Sequence, residues 1–424
     1  MKIGTKEDKY ASAAELELME GFPPPADKRV DRYNAMLTPP YNRWSYLHMR
    51  MLYPSVPVPV AERPITIEES IDGAFEYLKI ETPEGHSTSD MSTFLRESYT
   101  DALVVIAGDT IVYQKYLNGM NANHPHQMMS ATKSFVGLLG LMDVEEGRLS
   151  EDDLVTTYVP ELKKSSAFAD ATVGQVLDMT NSMEFSEDYA DPDSGVRRYG
   201  AVLGWTARTP GKKYEDNLYD FLVTLRKDAG LDHGEIFAYQ TPKTDVVNWV
   251  SNRVNDQPFY ELLSRKLWSR LGTDGETYVL MDESATPVAG GGLNATPHDL
   301  ARFAIMMLNN GRFGGQQVVP PNVIRKLVKG GSIEAFSNGP ESKDFMRTKD
   351  WSYRAQWWVR HTKGREAFTA MGIHGQFVYI DVKRNAAVVK LASQPVSLDP
   401  WQDTYSFHAI DAIMDHLGQR SKGT

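Results

Sequence analysis

Ser130 and Lys133 stand three positions apart in MMSATKSFVGLLGL, residues 128 to 141, at the head of an apolar run. On a helix, residues i and i+3 share a face, so this hydroxyl and this ammonium can meet. A serine beside an amine is a nucleophile with its base, which is the chemistry of acyl transfer through a covalent intermediate. In the first helical turn, Ser130 would also lie in the positive potential and free N–H groups of a helix amino terminus, where an oxyanion is stabilised. Lys133 serves as a base only if burial or a neighbouring cation lowers its proton affinity, and FVGLLGL offers burial. The same letters also describe one face of an ordinary core helix, so the motif alone leaves both readings open. It is the one Ser-x-x-Lys in the chain, and it heads the most apolar helical stretch.

Composition narrows the partners and the chemistry. The 424 residues leave room for about two domains, or one large domain with an insertion. The formal net charge is -11 and the acidic residues are spread along the chain, which disfavours nucleic acid and anionic membrane and favours a small molecule. With no cysteine, thiolate catalysis and disulfides are excluded, so a nucleophile must be oxygen or nitrogen. The ten histidines show no His-Glu-x-x-His spacing, and His124 and His126 bracket a proline in NANHPH. No metal site is therefore expected, and the proposed chemistry needs no cofactor. The start, MKIGTKEDKYASAAELELMEGFPPP, lacks the apolar core of a secretory signal, and no run approaches the roughly 20 apolar residues of a membrane span. The expectation is a cytoplasmic protein that does not bind membrane.

The elements that must position these residues follow from patterning. Residues 1–65 are rich in Pro, Tyr and Arg and read as an extended wrap over a body. ALVVIAG and IVYQKYL, flanking Asp109-Thr110, form one hairpin; QFVYIDV and AAVVKLA, joined by Lys383-Arg384-Asn385, form a second. WQDTYSFHAIDAIMDHL reads as a closing helix. Between the hairpins, GQVLDMTNSM, YDFLVTLRKDAG, TDVVNWVSNRVN and FYELLSRKLWSRLG have helical spacing. The expected fold is α+β: an antiparallel sheet built from both chain ends, flanked by helices, with a mostly helical insertion. The expected parts are 66–165 with the Ser130 helix, 166–285 as the insertion, and 286–424 completing the sheet.

A resemblance adds roles. MSATKSFVGLLGLMDVEEGRL, VPEL and VGQVLDM resemble the penicillin-recognising serine hydrolases, which include β-lactamases, DD-peptidases and esterase relatives. PPYNRWSYLHM, VLDMTNSMEFSEDYADP, GWTARTP, FAYQTPKTDVVNWV, DLARFAIMML and GIHGQFVYID are similar to the nylon-oligomer hydrolase branch, whose members cleave aminohexanoate linear dimers and small carboxylic esters. The resemblance implies a third catalytic residue, Tyr239 in FAYQTPKTD, relaying protons to the leaving group. The family's Tyr-x-Asn is here Tyr239-Gln240-Thr241, a departure that weakens the case for β-lactam recognition more than for acyl transfer.

The family's basic strand motif has no literal copy. Ala370-Met371-Gly372-Ile373-His374-Gly375 is the equivalent stretch, so the oxyanion donors would be the N–H groups of Ser130 and Ile373. A register slipped by two makes His374 the polar element instead. Tyr189 matches a branch tyrosine that closes over substrate; Gly290 and Trp357, within the Gln356-Trp357-Trp358 run, complete the expected substrate contacts. Gly200 and Gly290 stand where the branch has polar residues that favour amides, which makes ester cleavage the first expectation and aminohexanoate-type amides the second. A β-lactamase or DD-peptidase activity, an inactive ligand-binding module, and a homodimer stay open.

Overall fold

The structure, a computed structural model, describes residues 8–342, 346 and 350–420. Strands β1 (Thr100–Ala107) and β2 (Thr110–Tyr116) come from the amino-terminal part. Strands β3 (Trp351–Arg354), β4 (Trp357–Arg360), β5 (Ala367–Gly372), β6 (Gln376–Asp381) and β7 (Ala386–Ala392) come from the carboxy-terminal part. They form one sheet in the order β3-β4-β5-β6-β7-β1-β2, with the two-residue strand Glu68–Glu69 added parallel at the β2 edge. The chain ends meet where β7 pairs antiparallel with β1, Val388 opposite Val105 and Val389 opposite Val104. This is the sheet expected from the two hairpins.

The central strands β6, β7 and β1 are buried at nearly every position, and mostly apolar, because helices cover both faces. Successive side chains alternate: Ala102, Val104 and Ile106 enter one core, while Leu103 and Val105 enter the other. The first core is closed by helices α1 (Thr132–Glu145), α2 (Pro242–Asn255) and α3 (Pro297–Leu308), through residues such as Phe135, Val246 and Phe303. The second is closed by α4 (Pro400–Arg420) through Tyr405, Ile410 and Met414. Helix α1 is buried from Thr132 through Asp143, which explains its nearly unbroken apolar sequence.

Two details differ from the sequence expectation. Thr110 pairs with Ala107, so the first turn is Gly108-Asp109, and Gly108 takes the left-handed φ of +60° that the tight reversal requires. In the insertion, Val173–Leu177 and Leu218–Leu222 are single short helices capped by the side chains of Thr172 and Asn217. Gly195–Val202 and Phe259–Lys266 reach eight residues and Pro242–Asn255 reaches 14, since Asp, Asn, Gly and Pro interrupt the rest. Residues 8–65 are largely irregular; strand Ser55–Pro57 pairs with Tyr278–Leu280, and Arg43 reaches the sheet. Among the described residues, no helix is long and apolar enough to cross a membrane.

Candidate active site

Ser130 lies in a single 3-10 turn, Met129–Ala131, that leads directly into α1. The turn is held from outside: Met128 N–H donates to the Leu293 carbonyl (2.9 Å), and Leu293 N–H donates to Thr132 Oγ1 (3.1 Å). Met129 keeps a left-handed φ of +47° there, a conformation costly for a non-glycine residue and maintained by its surroundings. One turn on, Lys133 Nζ donates to Ser130 Oγ at 2.8 Å and to the Gly290 carbonyl at 2.5 Å. The i, i+3 spacing thus places the two groups together.

Lys133 is 1% exposed. Burial, opposed by the carboxylates of Glu187 and then Asp245, brings its pKa down to about 8. Tyr239, in the loop preceding α2, faces Ser130 across the same chamber, and its ring centroid is 5.2 Å from Lys133 Nζ. Burial raises the phenol above its ordinary pKa, so it is a protonated donor at neutral pH. Its N–H donates to Glu341 Oε1 (2.8 Å), and its ring stacks on Trp358 at 5.4 Å. Ser130, Lys133 and Tyr239 therefore share one point in space.

Two chambers open from Ser130. The larger, about 300 Å³, has Tyr239, Trp358, Met371, Glu341 and Asp403 among its walls. The smaller, about 50 Å³, is walled by Met36, Trp205, Gly200, Thr241, Gly290 and neighbours. Ser130, Tyr189 and Ile373 line both. Strand β5 ends hard against the serine turn: a Cβ at Gly372 would lie 2.6 Å from the Met128 carbonyl oxygen and 3.1 Å from Ala131 N. That close approach needs glycine, and it brings Ile373 to the mouth of both chambers beside Ser130.

The remaining expected contacts divide. Tyr189 donates to Glu187 Oε2 (3.1 Å) at the chamber wall. Gly290 acts through its backbone, with its carbonyl on Lys133 and its N–H donating to Asp245 Oδ1 at 3.0 Å. His374 lines neither chamber and is removed from the substrate contacts. It is 1% exposed, and burial pushes it down to about 4, against the hydrogen bond to Gln394. A neutral imidazole must donate from Nδ1 to the Gln394 carbonyl (2.6 Å), which leaves Nε2 to accept from Ser397 Oγ (3.2 Å). The ring is thus fully engaged in holding the segment that follows β7. Trp357 is likewise corrected to Trp358: Trp357 is fully buried against α1, donating Nε1–H to the Ser134 carbonyl (2.9 Å), and its neighbour emerges on the opposite face of β4 into the chamber.

Sequence reasoning missed four site residues. Glu187 accepts the Thr241 N–H and the Tyr189 hydroxyl; burial raises its pKa, with Lys133 the first opposing influence. Asp245 accepts from Tyr199 (2.7 Å) and Gly290 N–H, and burial pushes it up to about 6. Glu341 is raised to about 7 by burial, and Trp358 supports Tyr239. A signal existed for Asp245, which falls four residues after Thr241 on the same face of α2.

An antiparallel sheet between helices, a serine and lysine at the head of a buried helix, and a tyrosine from the helical insertion define a serine hydrolase of β-lactamase type. Residues 95–411 match the Beta-lactamase family, and the chain belongs to it. It is 34% identical over 373 residues to the 6-aminohexanoate-dimer hydrolase of Paenarthrobacter ureafaciens, covering 88% of this chain and 89% of that one. Among solved structures it is similar to one described as "Putative 6-aminohexanoate-dimer hydrolase from Bacillus anthracis", with a TM-score of 0.82, 28% identity, and coverage of 93% and 99% of the two chains. A family VIII carboxylesterase shares the fold at a TM-score of 0.57 and 14% identity, over 82% of this chain and 100% of that one.

Proposed function

We propose that this serine hydrolase cleaves small carboxylic esters, and secondarily linear amides, through an acyl-enzyme. The observation that carries the reading is the hydrogen bond of Lys133 Nζ to Ser130 Oγ (2.8 Å) with Tyr239 beside them, its ring 5.2 Å from Lys133 Nζ, at the mouth of a chamber large enough for a small substrate. Neutral Lys133 takes the Ser130 proton as Oγ attacks the carbonyl carbon. The N–H groups of Ser130 and Ile373 receive the oxyanion. Tyr239 gives its proton to the departing oxygen or nitrogen, and Lys133 restores it, so an alcohol or amine leaves and an acyl-serine remains. Water then attacks the acyl-serine, releasing the carboxylic acid and regenerating the hydroxyl.

Among the described residues that line the larger chamber there is no lysine, arginine or histidine, so none of these offers a counter-ion to the carboxylate of a β-lactam. The test is nitrophenol release from nitrophenyl acetate by the purified protein and by Ser130→Ala, with the aminohexanoate dimer as the amide. Turnover that falls at least about a thousandfold in the variant supports the reading. Equal inertness of both proteins overturns it in favour of a binding module.

A further inference from the structure

We propose that the two chambers sort the two arms of the substrate: the small one takes a short acyl group, and the large one takes an apolar leaving group without negative charge. This rests on the hydrolase reading above. The assignment of arms follows from Tyr239. The proton donor for the leaving atom lines the larger chamber and not the smaller, so the departing oxygen or nitrogen must face the larger. The carbonyl oxygen is directed to Ser130 and Ile373, which border both. The acyl chain is then left with the smaller chamber.

That chamber is small because side chains pack closely around its two glycines. A Cβ at Gly290 would lie 2.7 Å from both Thr241 Cγ2 and the Tyr199 hydroxyl, and one at Gly200 would lie 3.1 Å from Thr206 Oγ1. Trp205 fills a further wall. A side chain at Gly290 would collide with these neighbours and one at Gly200 would crowd Thr206, and the space of about 50 Å³ admits only a few carbon atoms.

The larger chamber has the opposite character. Trp358, Met346, Met371 and Leu398 give it apolar walls, and the carboxyl groups it presents are Glu187, Glu341 and Asp403. Glu341 uses one oxygen on Tyr239 N–H, while the other is buried without a hydrogen-bond partner among the described residues. Among the described residues, the lysines that act on these acids are engaged elsewhere: Lys133 donates to Ser130 Oγ and the Gly290 carbonyl, Lys243 to the Met179 and Ala238 carbonyls, both at 3.0 Å, and Lys390 to the Gly375 carbonyl at 3.4 Å. A carboxylate on the leaving group would meet like charge in a desolvated space, whereas an amide or a phenyl group of the same size would not.

The experiment compares kcat/KM at pH 8.5 for two acetyl esters matched in size, 3-acetoxybenzoate and 3-acetoxybenzamide. A second series holds the leaving group constant as nitrophenol and lengthens the acyl chain from acetyl to octanoyl. The proposal expects the benzamide to be favoured by about tenfold or more, with the preference largely lost in Glu341→Gln/Asp403→Asn. It expects the octanoyl ester to fall at least about tenfold below the acetyl ester, and Trp205→Ala to narrow that gap. Turnover of both aryl acetates at similar rates, or an octanoyl ester as good as the acetyl, overturns this proposal while leaving the hydrolase intact. Inertness toward every ester overturns the hydrolase reading, and this one with it.

Discussion

Lys133 is held between two opposing influences, and their balance sets the pH at which the enzyme works. Burial drives it toward the neutral amine that can accept the Ser130 proton, while the buried carboxylates of Glu187 and Asp245 favour the ammonium. Because the base must be neutral, kcat/KM should rise with pH through a limb near 8. Glu187→Gln removes a negative charge from beside the amine, so the neutral form is reached sooner and the limb should move to lower pH by about half to one unit. Asp245→Asn should act in the same direction by a smaller amount, since Glu187 is the stronger of the two influences. pH profiles of nitrophenyl acetate hydrolysis measure this directly. A limb that stays put or moves upward in both variants would show that Lys133 does not titrate under their control.

At the scale of elements, the site depends on how tightly α1 is pressed against the sheet. A Cβ at Gly137 would lie 1.9 Å from the Ala355 carbonyl oxygen and 2.8 Å from Gln356 Cβ, in the turn joining β3 to β4. Gly137→Ala gains helix propensity but must displace that backbone, so we expect a net loss of about 1–3 kcal/mol, read as a lower urea midpoint. Because the same turn sets β4, and Trp358 on β4 stacks on Tyr239, activity should fall with it. An unchanged midpoint would mean that the turn yields freely.

This turn also explains what the sequence did and did not reveal. The central strands were legible because burial on both faces leaves long apolar runs, and Ser130 and Lys133 because their spacing matches one helical turn. Trp357 and Trp358 were indistinguishable because facing is decided by strand register, which is set here by two left-handed residues, Ala355 (φ +45°) and Gln356 (φ +66°), that leave no plain sequence mark. His374 misled because an unpaired histidine and a fully engaged one are written with the same letter, and its partners at Gln394 and Ser397 come from the segment beyond β7. Glu187 and Glu341 escaped because they lie on irregular loops, where no periodicity shows that a side chain points inward.

Across the whole molecule, one buried junction ties together segments that are remote in sequence. Arg43 Nη1 donates to the Tyr99 carbonyl (3.1 Å), Asp101 Oδ1 (2.9 Å) and Ser393 Oγ (2.7 Å), while Asp101 Oδ2 is held by Ser393 and by His126 at 3.0 Å. The irregular amino-terminal segment, the first strand, the approach to the serine turn and the end of β7 thus meet at one carboxylate. Burial pushes Asp101 up, but Arg43, His126 and Ser393 more than offset this and hold it below its ordinary value. A carboxyl whose folded pKa is depressed contributes stability above its unfolded pKa of about 4, and that contribution is lost as pH falls through the folded value. Arg43→Met takes away the principal counter-charge and leaves a buried carboxylate at neutral pH, which should cost about 3–5 kcal/mol. Without Arg43, burial raises the Asp101 carboxyl, so the variant takes up a proton as pH falls toward about 4 and the gap between variant and parent should narrow over that range. Urea unfolding followed by tryptophan fluorescence at pH 7 and at pH 4 separates the two regimes. A stability difference of equal size at both would mean that Arg43 acts through packing and its neutral hydrogen bonds, and that the charge of Asp101 does not hold the amino-terminal segment to the sheet.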